Sequence, residues 1–189
     1  YINNGNLNFT LSPPISLNTD GHNSNDANWV DYDSDGDLDL FVANQSNERN
    51  LLYENINGVF SEITNGPIVN NFNSSYGSCW GDYDNDGDLD LYVCNSSNQK
   101  NSLYTNEGNS NFKKVITGEI VTDNGNSYGS SWIDYDNDGF LDLFVTNSAQ
   151  KNCLYKNNGN STFSKINTGS IVNDVGASRS SNWADIDND

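Results

Sequence analysis

Three stretches of the chain repeat the pattern D-x-D-x-D-G-x-x-D, beginning at Asp31, Asp82 and Asp134. Alternate carboxylates at positions 1, 3 and 5 can wrap hard oxygen donors around one divalent ion. A glycine at position 6 permits the sharp turn, and position 7 lends its backbone carbonyl. The candidate ligands are therefore Asp31, Asp33, Asp35, Asp37 and Asp39 in the first copy and Asp82, Asp84, Asp86, Asp88 and Asp90 in the second. In the third they are Asp134, Asp136, Asp138, Phe140 and Asp142. Phe140 stands where Asp37 and Asp88 stand, so a side-chain ligand at position 7 is dispensable while its carbonyl is always present. Positions 1, 3, 5 and 9 are aspartate in all three copies. A fourth copy, Asp185, Asp187 and Asp189, lacks positions 6 to 9 and is expected to bind weakly or not at all.

The donor set selects the ion. Oxygen-only ligation favours calcium or magnesium over zinc, and magnesium's small octahedral shell rarely takes so many carboxylates, so calcium is expected in three complete sites. An EF-hand would need an acid at position 12 and flanking helices. Position 12 is Val42, Val93 and Val145, within an apolar run.

Charge supports the same reading. Against 8 Lys plus Arg the chain carries 26 Asp plus Glu, a net charge of -18, and 17 of those acids lie in the four clusters. A surface acidified for solubility would scatter its carboxylates, whereas clustering calls for local counter-charge. The few dispersed cations exclude a phosphate-backbone track, and no apolar run approaches the roughly 18 residues of a membrane span. At 189 residues the chain is one domain or part of one.

The loops recur because the whole sequence does. Trp29, Trp80, Trp132 and Trp183 are 51, 52 and 51 residues apart, and Tyr1, Tyr53, Tyr104 and Tyr155 are 52, 51 and 51 apart. Periods of this length signal propeller blades, solenoids or arrays. Within a unit, short apolar or aromatic runs alternate with Asn, Gly, Ser and Asp, which predicts four strands, A to D, and no helix. In the middle unit strand A ends at Trp80, B is Leu89 to Cys94, C is Ser102 to Asn106 and D is Phe112 to Thr117. Strand B is apolar on both faces, with Leu89, Leu91 and Val93 opposite Tyr92, as in a sheet packed between two others. The expected fold is all-β, a β-propeller of four-stranded antiparallel blades of about 51 residues. A partial blade spans 1–26, complete blades span 27–75, 76–127 and 128–178, and another begins at 179–189. This phase, CD, ABCD three times, then A, predicts a fragment of a larger propeller.

Four features together resemble the FG-GAP/VCBS repeat family, the blades of integrin α-subunit heads and of many secreted propellers. They are YGS before the loop (Tyr76, Gly77, Ser78; Tyr128, Gly129, Ser130), the Asp loop, LDL-aromatic-V after it, and LY-x-N (Leu52 to Asn55, Leu103 to Asn106, Leu154 to Asn157). Where the integrin version has Gly-Ala-Pro after strand B, this chain has Ala43-Asn44-Gln45, Cys94-Asn95-Ser96 and Thr146-Asn147-Ser148, and a Trp closes each strand A. The resemblance is thus to the VCBS side. It implies a calcium-stabilised extracellular propeller, secreted or on a cell surface, commonly seven-bladed and used for adhesion or ligand binding.

A cation followed by Asn recurs in each B–C loop, at Arg49, Lys100 and Lys151. The family topology would put these on the face opposite the metal loops, where they form a possible ligand face for an anionic glycan or carboxylate, or else solvated turn tips inherited by repetition. Cys79, Cys94 and Cys153 occupy non-equivalent places and are expected as free thiols. His22 has no catalytic partner at a recognisable spacing, and oxygen-rich loops leave little open coordination for a substrate. The chain is expected to be non-enzymatic, a module that recognises a glycan or protein, joined by the remaining blades of its parent. Two alternatives stay open: part of a propeller enzyme acting on polysaccharide with its catalytic residues elsewhere, or a purely structural spacer.

Overall fold

A computed structural model describes residues 2–3, 5–10 and 21–184. The first strands are β1 (Ile2–Asn3) and β2 (Phe9–Thr10), an antiparallel pair in which Ile2 faces Thr10. The first complete blade comprises β3 (Ser24–Val30), β4 (Asp39–Asn44), β6 (Leu51–Ile56) and β7 (Val59–Glu62). The second comprises β9 (Ser75–Gly81), β10 (Asp90–Asn95), β12 (Ser102–Asn106) and β13 (Phe112–Lys114). The third comprises β15 (Ser127–Ile133), β16 (Asp142–Lys151), β17 (Cys153–Asn157) and β18 (Phe163–Ile166). Each blade is an antiparallel meander with its strands in sequence order, A-B-C-D. The three blades do not close a ring among the described residues.

Two features depart from expectation. Each of the last two D–A connections contains one helical turn, α1 (Glu119–Thr122) and α2 (Ser170–Asn173), where no helix was expected. Both follow a glycine at positive φ, Gly118 and Gly169, and both bury one or two apolar side chains, Ile120 and Val121 or Val172. A four-residue turn lies below the length that periodicity can reveal. The second departure is an additional strand pair in each unit, between the B–C loop and the connection to the next blade. It joins β5 (Glu48–Arg49) to β8 (Phe72–Asn73), β11 (Gln99–Lys100) to β14 (Asn124–Gly125), and the end of β16 to β19 (Val175–Ala177).

The core lies between blades. Every residue of β10 is buried. Leu91 and Val93 pack with Phe41 and Ala43 of the first blade, while Tyr92 and Cys94 pack with Leu143 and Val145 of the third. The double-sided apolar pattern of strand B is thus spent on two separate interfaces. The recurring tryptophan belongs to the same joint. Trp80 meets Phe41 edge-on at 5.9 Å, Trp132 meets Tyr92 at 6.3 Å and Trp183 meets Phe144 at 5.5 Å, each reaching the strand-B aromatic of the preceding blade. Trp29, edge-on to Phe60 of its own blade, is 58% exposed.

The YGS motif is also explained by close approach of blades. A Cβ on Gly77 would run into the carbonyl oxygen of Tyr128, and one on Gly129 would lie 2.7 Å from that of Arg179. The Tyr76 and Tyr128 rings touch edge-on at 4.5 Å, and Arg179 lies over the Tyr128 ring. The glycines let neighbouring A strands approach backbone to backbone.

Candidate metal centre

Each Asp loop bridges the paired ends of strands A and B. Val30 faces Asp39, Gly81 faces Asp90 and Ile133 faces Asp142, so position 9 is the first residue of strand B. The intervening residues must reverse direction, and they do so with left-handed backbone at position 4 (Ser34, Asn85, Asn137) and at the position-6 glycine (Gly36, Gly87, Gly139). Position 1 organises the turn. Asp31 accepts hydrogen bonds from the Asp35 and Gly36 amides at 3.1 Å, Asp82 from Asp86 and Gly87 at 3.0 Å, and Asp134 from Asp138 and Gly139 at 3.0 and 2.9 Å. Backbone amides thus hold each loop in one shape in all three copies.

Position 9 does a different job. The buried carboxylate of Asp39 accepts from the Tyr32 amide at 3.2 Å and the Asn55 amide at 2.7 Å, tying the loop to strand C. Asp90 repeats this with Tyr83 and Asn106, and Asp142 with Tyr135 and Asn157. The asparagine that closes LY-x-N continues the chain of bonds, since Asn106 and Asn157 donate through Nδ2 to the carbonyls of Tyr32 and Tyr83 in the preceding blade. Acidic loop, strand C and blade interface form one connected polar unit.

Carboxylate oxygens converge in each loop. One oxygen each from Asp31, Asp33 and Asp39 lie within 4.8 Å of one another, as do one each from Asp82, Asp84 and Asp86 and one each from Asp134, Asp136 and Asp142. Of the expected ligands, positions 1 and 3 therefore converge everywhere, position 9 joins them in the first and third loops, and position 5 joins them in the second. Asp35, Asp90 and Asp138 stand outside these triads, as do Asp37, Asp88 and Phe140 at position 7. Asp37 turns its carboxylate to the Asn57 amide at 2.6 Å, while Phe140 packs on Gly159. Asp185, Asp187 and Asp189 lie outside the described residues.

Burial first, and nearby like charges after it, raise the pKa of several of these carboxylates. Burial, then the neighbouring Asp33 and Asp35, pushes Asp39 up to about 6 against the backbone bonds that oppose it, and Asp90 is pushed up to about 7 in the same way with Asp84 and Asp86. Asp33, Asp84 and Asp142 are raised too, burial again leading. The second loop also holds a buried Asp84 Oδ1 with no hydrogen-bond partner among the described residues. A buried carboxylate oxygen left without a donor is costly, and a cation among the three carboxylates would offset that cost. The donor set, hard oxygens only, fits calcium.

The third loop differs in its electrostatics. Lys156 Nζ contacts Asp136 and lies 3.0 Å from Asp138 Oδ2, holding the Asp138 carboxyl below the usual range. The same position in strand C is Glu54 in the first blade and Thr105 in the second, so only this loop among the three carries its own cation there.

The B–C loop cations do not form one uniform arc. Their carbonyls are anchored: Asn44, Asn95 and Asn147 donate through Nδ2 to the carbonyls of Arg49, Lys100 and Lys151 at 2.7 to 2.8 Å. Their side chains diverge, Arg49 pairing with Glu62, Lys151 donating to Asn173 Oδ1 at 3.0 Å, and Lys100 standing exposed. Sequence reasoning missed the buried asparagine network itself. Asn44, Asn95 and Asn147 each also accept at Oδ1 from a strand-A serine hydroxyl (Ser24, Ser75, Ser127), and each donates its backbone N–H to Oδ1 of the next asparagine (Asn50, Asn101, Asn152). The repeated Asn after the cation was the available signal. The three cysteines are free, with Cys79 Sγ 3.1 Å from Ser130 Oγ, and His22 pairs with Glu48 at 2.9 Å.

No curated protein matches the chain. The FG-GAP-like repeat family does, over residues 31–93, 82–145 and 134–189, each match opening on the first aspartate of a loop. The overlapping matches run through most of the sequence, and the chain belongs to the FG-GAP-like repeat family.

Proposed function

We propose that this chain is a calcium-stabilised, non-catalytic propeller module of a secreted or cell-surface protein, serving to recognise a glycan or protein ligand. The observation that carries the reading is the repetition of one preorganised acidic turn in three blades, with three carboxylates converging in each and an unpartnered buried oxygen at Asp84. Asp31, Asp33 and Asp39, Asp82, Asp84 and Asp86, and Asp134, Asp136 and Asp142 would be the side-chain ligands, helped by the carbonyls at Asp37, Asp88 and Phe140. Binding free energy then becomes folding free energy: the ion cancels repulsion that otherwise opposes closure of each A–B turn. The B–C turns and D–A connections, paired at the opposite ends of the strands, are left to meet a ligand.

A thermal melt in chelator, in millimolar magnesium and in calcium from micromolar to millimolar tests the metal half of the reading. The midpoint should rise with calcium and stay near its chelator value with magnesium. A midpoint indifferent to calcium would refute it.

A further inference from the structure

Two equivalent cavities open between the B–C turn and the D–A connection, one in each of the last two blades. They measure about 430 and 420 Å³, within the range of small-molecule sites. The third-blade cavity contains Lys151 and Lys165, and the second-blade cavity contains Lys100 and Lys114 at the corresponding positions. What differs is the counter-charge. In the third blade the chain supplies it: Asp123 Oδ2 lies 2.5 Å from Lys165 Nζ and accepts from the Tyr155 hydroxyl at 3.0 Å. In the second blade the matching residue is Asn71, whose neutral Oδ1 accepts from Lys114 Nζ at 3.0 Å.

Among the described residues the second-blade cavity is thus lined by two lysines and no carboxylate, in a chain whose net charge is -18. Lys114 is half-buried, and burial, with no acid opposing it, holds its ammonium pKa below the usual range. A cation removed from water without an anion is costly, so the arrangement suits an anion delivered from outside. The rest of the lining narrows the class. Asn73 and Asn124 present side-chain amides free of hydrogen bonds among the described residues, and each offers both a donor and an acceptor, as a hydroxyl requires. Val115 and Ile116, the latter 79% exposed, supply an apolar wall beside them.

We propose that the second-blade cavity binds a carboxylate-bearing sugar, its carboxylate taking on Lys114 and Lys100 the place that Asp123 takes on Lys165. The sugar hydroxyls meet Asn73 and Asn124, and the C–H face of the ring lies on Val115 and Ile116. This deepens the recognition reading above and rests on it.

The test uses the 189-residue chain at constant saturating calcium, titrated with glucuronic acid and with its uncharged methyl ester by NMR. Saturable binding of the acid, with the ester and acetate much weaker, is expected. Asn71→Asp places in this cavity the carboxylate its twin already has, and should weaken glucuronate binding about ten- to hundredfold, the loss expected for one charge-assisted hydrogen bond. Lys114→Met should do the same. Asp123→Asn should create a second binding event in the third blade. Undiminished binding by Asn71→Asp overturns the proposal, as does equal binding of the ester, acetate as tight as glucuronate, or preference for an aspartyl peptide over the sugar. A calcium-dependent melt without glucuronate binding removes this inference alone. A melt indifferent to calcium removes the metal reading by a separate measurement.

Discussion

Replacing Asp84 by asparagine keeps the shape of the side chain and removes one charge from the second triad. One of its oxygens lies within 4.8 Å of one oxygen each of Asp82 and Asp86, a separation at which each like-charged pair costs about 1 kcal/mol with water-like screening and about 3 kcal/mol at an effective dielectric near 20. The loop is partly open to solvent, so the lower value is the better guide, and relieving two pairs is worth about 2 kcal/mol before salt screening reduces it. For a chain of this size that raises the apo melting temperature by about 4 to 8 °C. Calcium reverses the sign. A site with a dissociation constant near 0.1 mM contributes about 2.7 kcal/mol at 10 mM calcium, so losing it removes about 5 to 10 °C of calcium-induced stabilisation. Asp84→Asn should therefore melt above the wild type in chelator, and its calcium-induced increment should shrink by about a third, because one of three loops is lost. Differential scanning calorimetry of both proteins in chelator and in calcium measures all four midpoints. Equal loss of stability in the two conditions would mean that Asp84 is an ordinary structural residue. An unchanged calcium increment would mean that it holds no ion.

Two further predictions concern single positions. Gly77→Ala should cost about 1 to 3 kcal/mol in denaturant unfolding, because its Cβ meets the Tyr128 backbone of the next blade, whereas Gly176→Ala, with no atom within 4 Å, should change little; similar effects at both would refute close packing of the A strands. Lys156→Met should tighten calcium binding at the third loop by freeing Asp136 and Asp138 from an internal cation, which calorimetric titration would register as a rise in the weakest of three affinities; unchanged affinities would show that Lys156 does not compete with the ion.

The repeat made much of the molecule readable, since any demand common to three blades appears three times in the chain. Leu91 and Val93 opposite Tyr92 announced a sheet buried on both faces, and the structure assigns those faces to two different blade interfaces. The Asp spacing located the turns, because a loop held between paired strand ends is governed by neighbours along the chain. Strand limits were less legible, as β13 ends at Lys114 where the sequence suggests Thr117, and the turns at α1 and α2 are too short to carry a period.

Local sequence, then, determined the strand order, the acidic turns and the places of their carboxylates along the chain, because those depend on alternation and spacing within a few residues. Tertiary structure decided which carboxylates converge, that Asp90 is fastened to Tyr83 and Asn106 while Asp84 keeps a bare oxygen, and that Lys156 reaches the third loop. It also decided the unequal fates of Arg49, Lys100 and Lys151, which equal spacing had made look alike. Charge is long-ranged, and its effect is set by what folds against it: Asp123 in one cavity and Asn71 in its twin are single letters of the repeat until the blades bring each to its lysine.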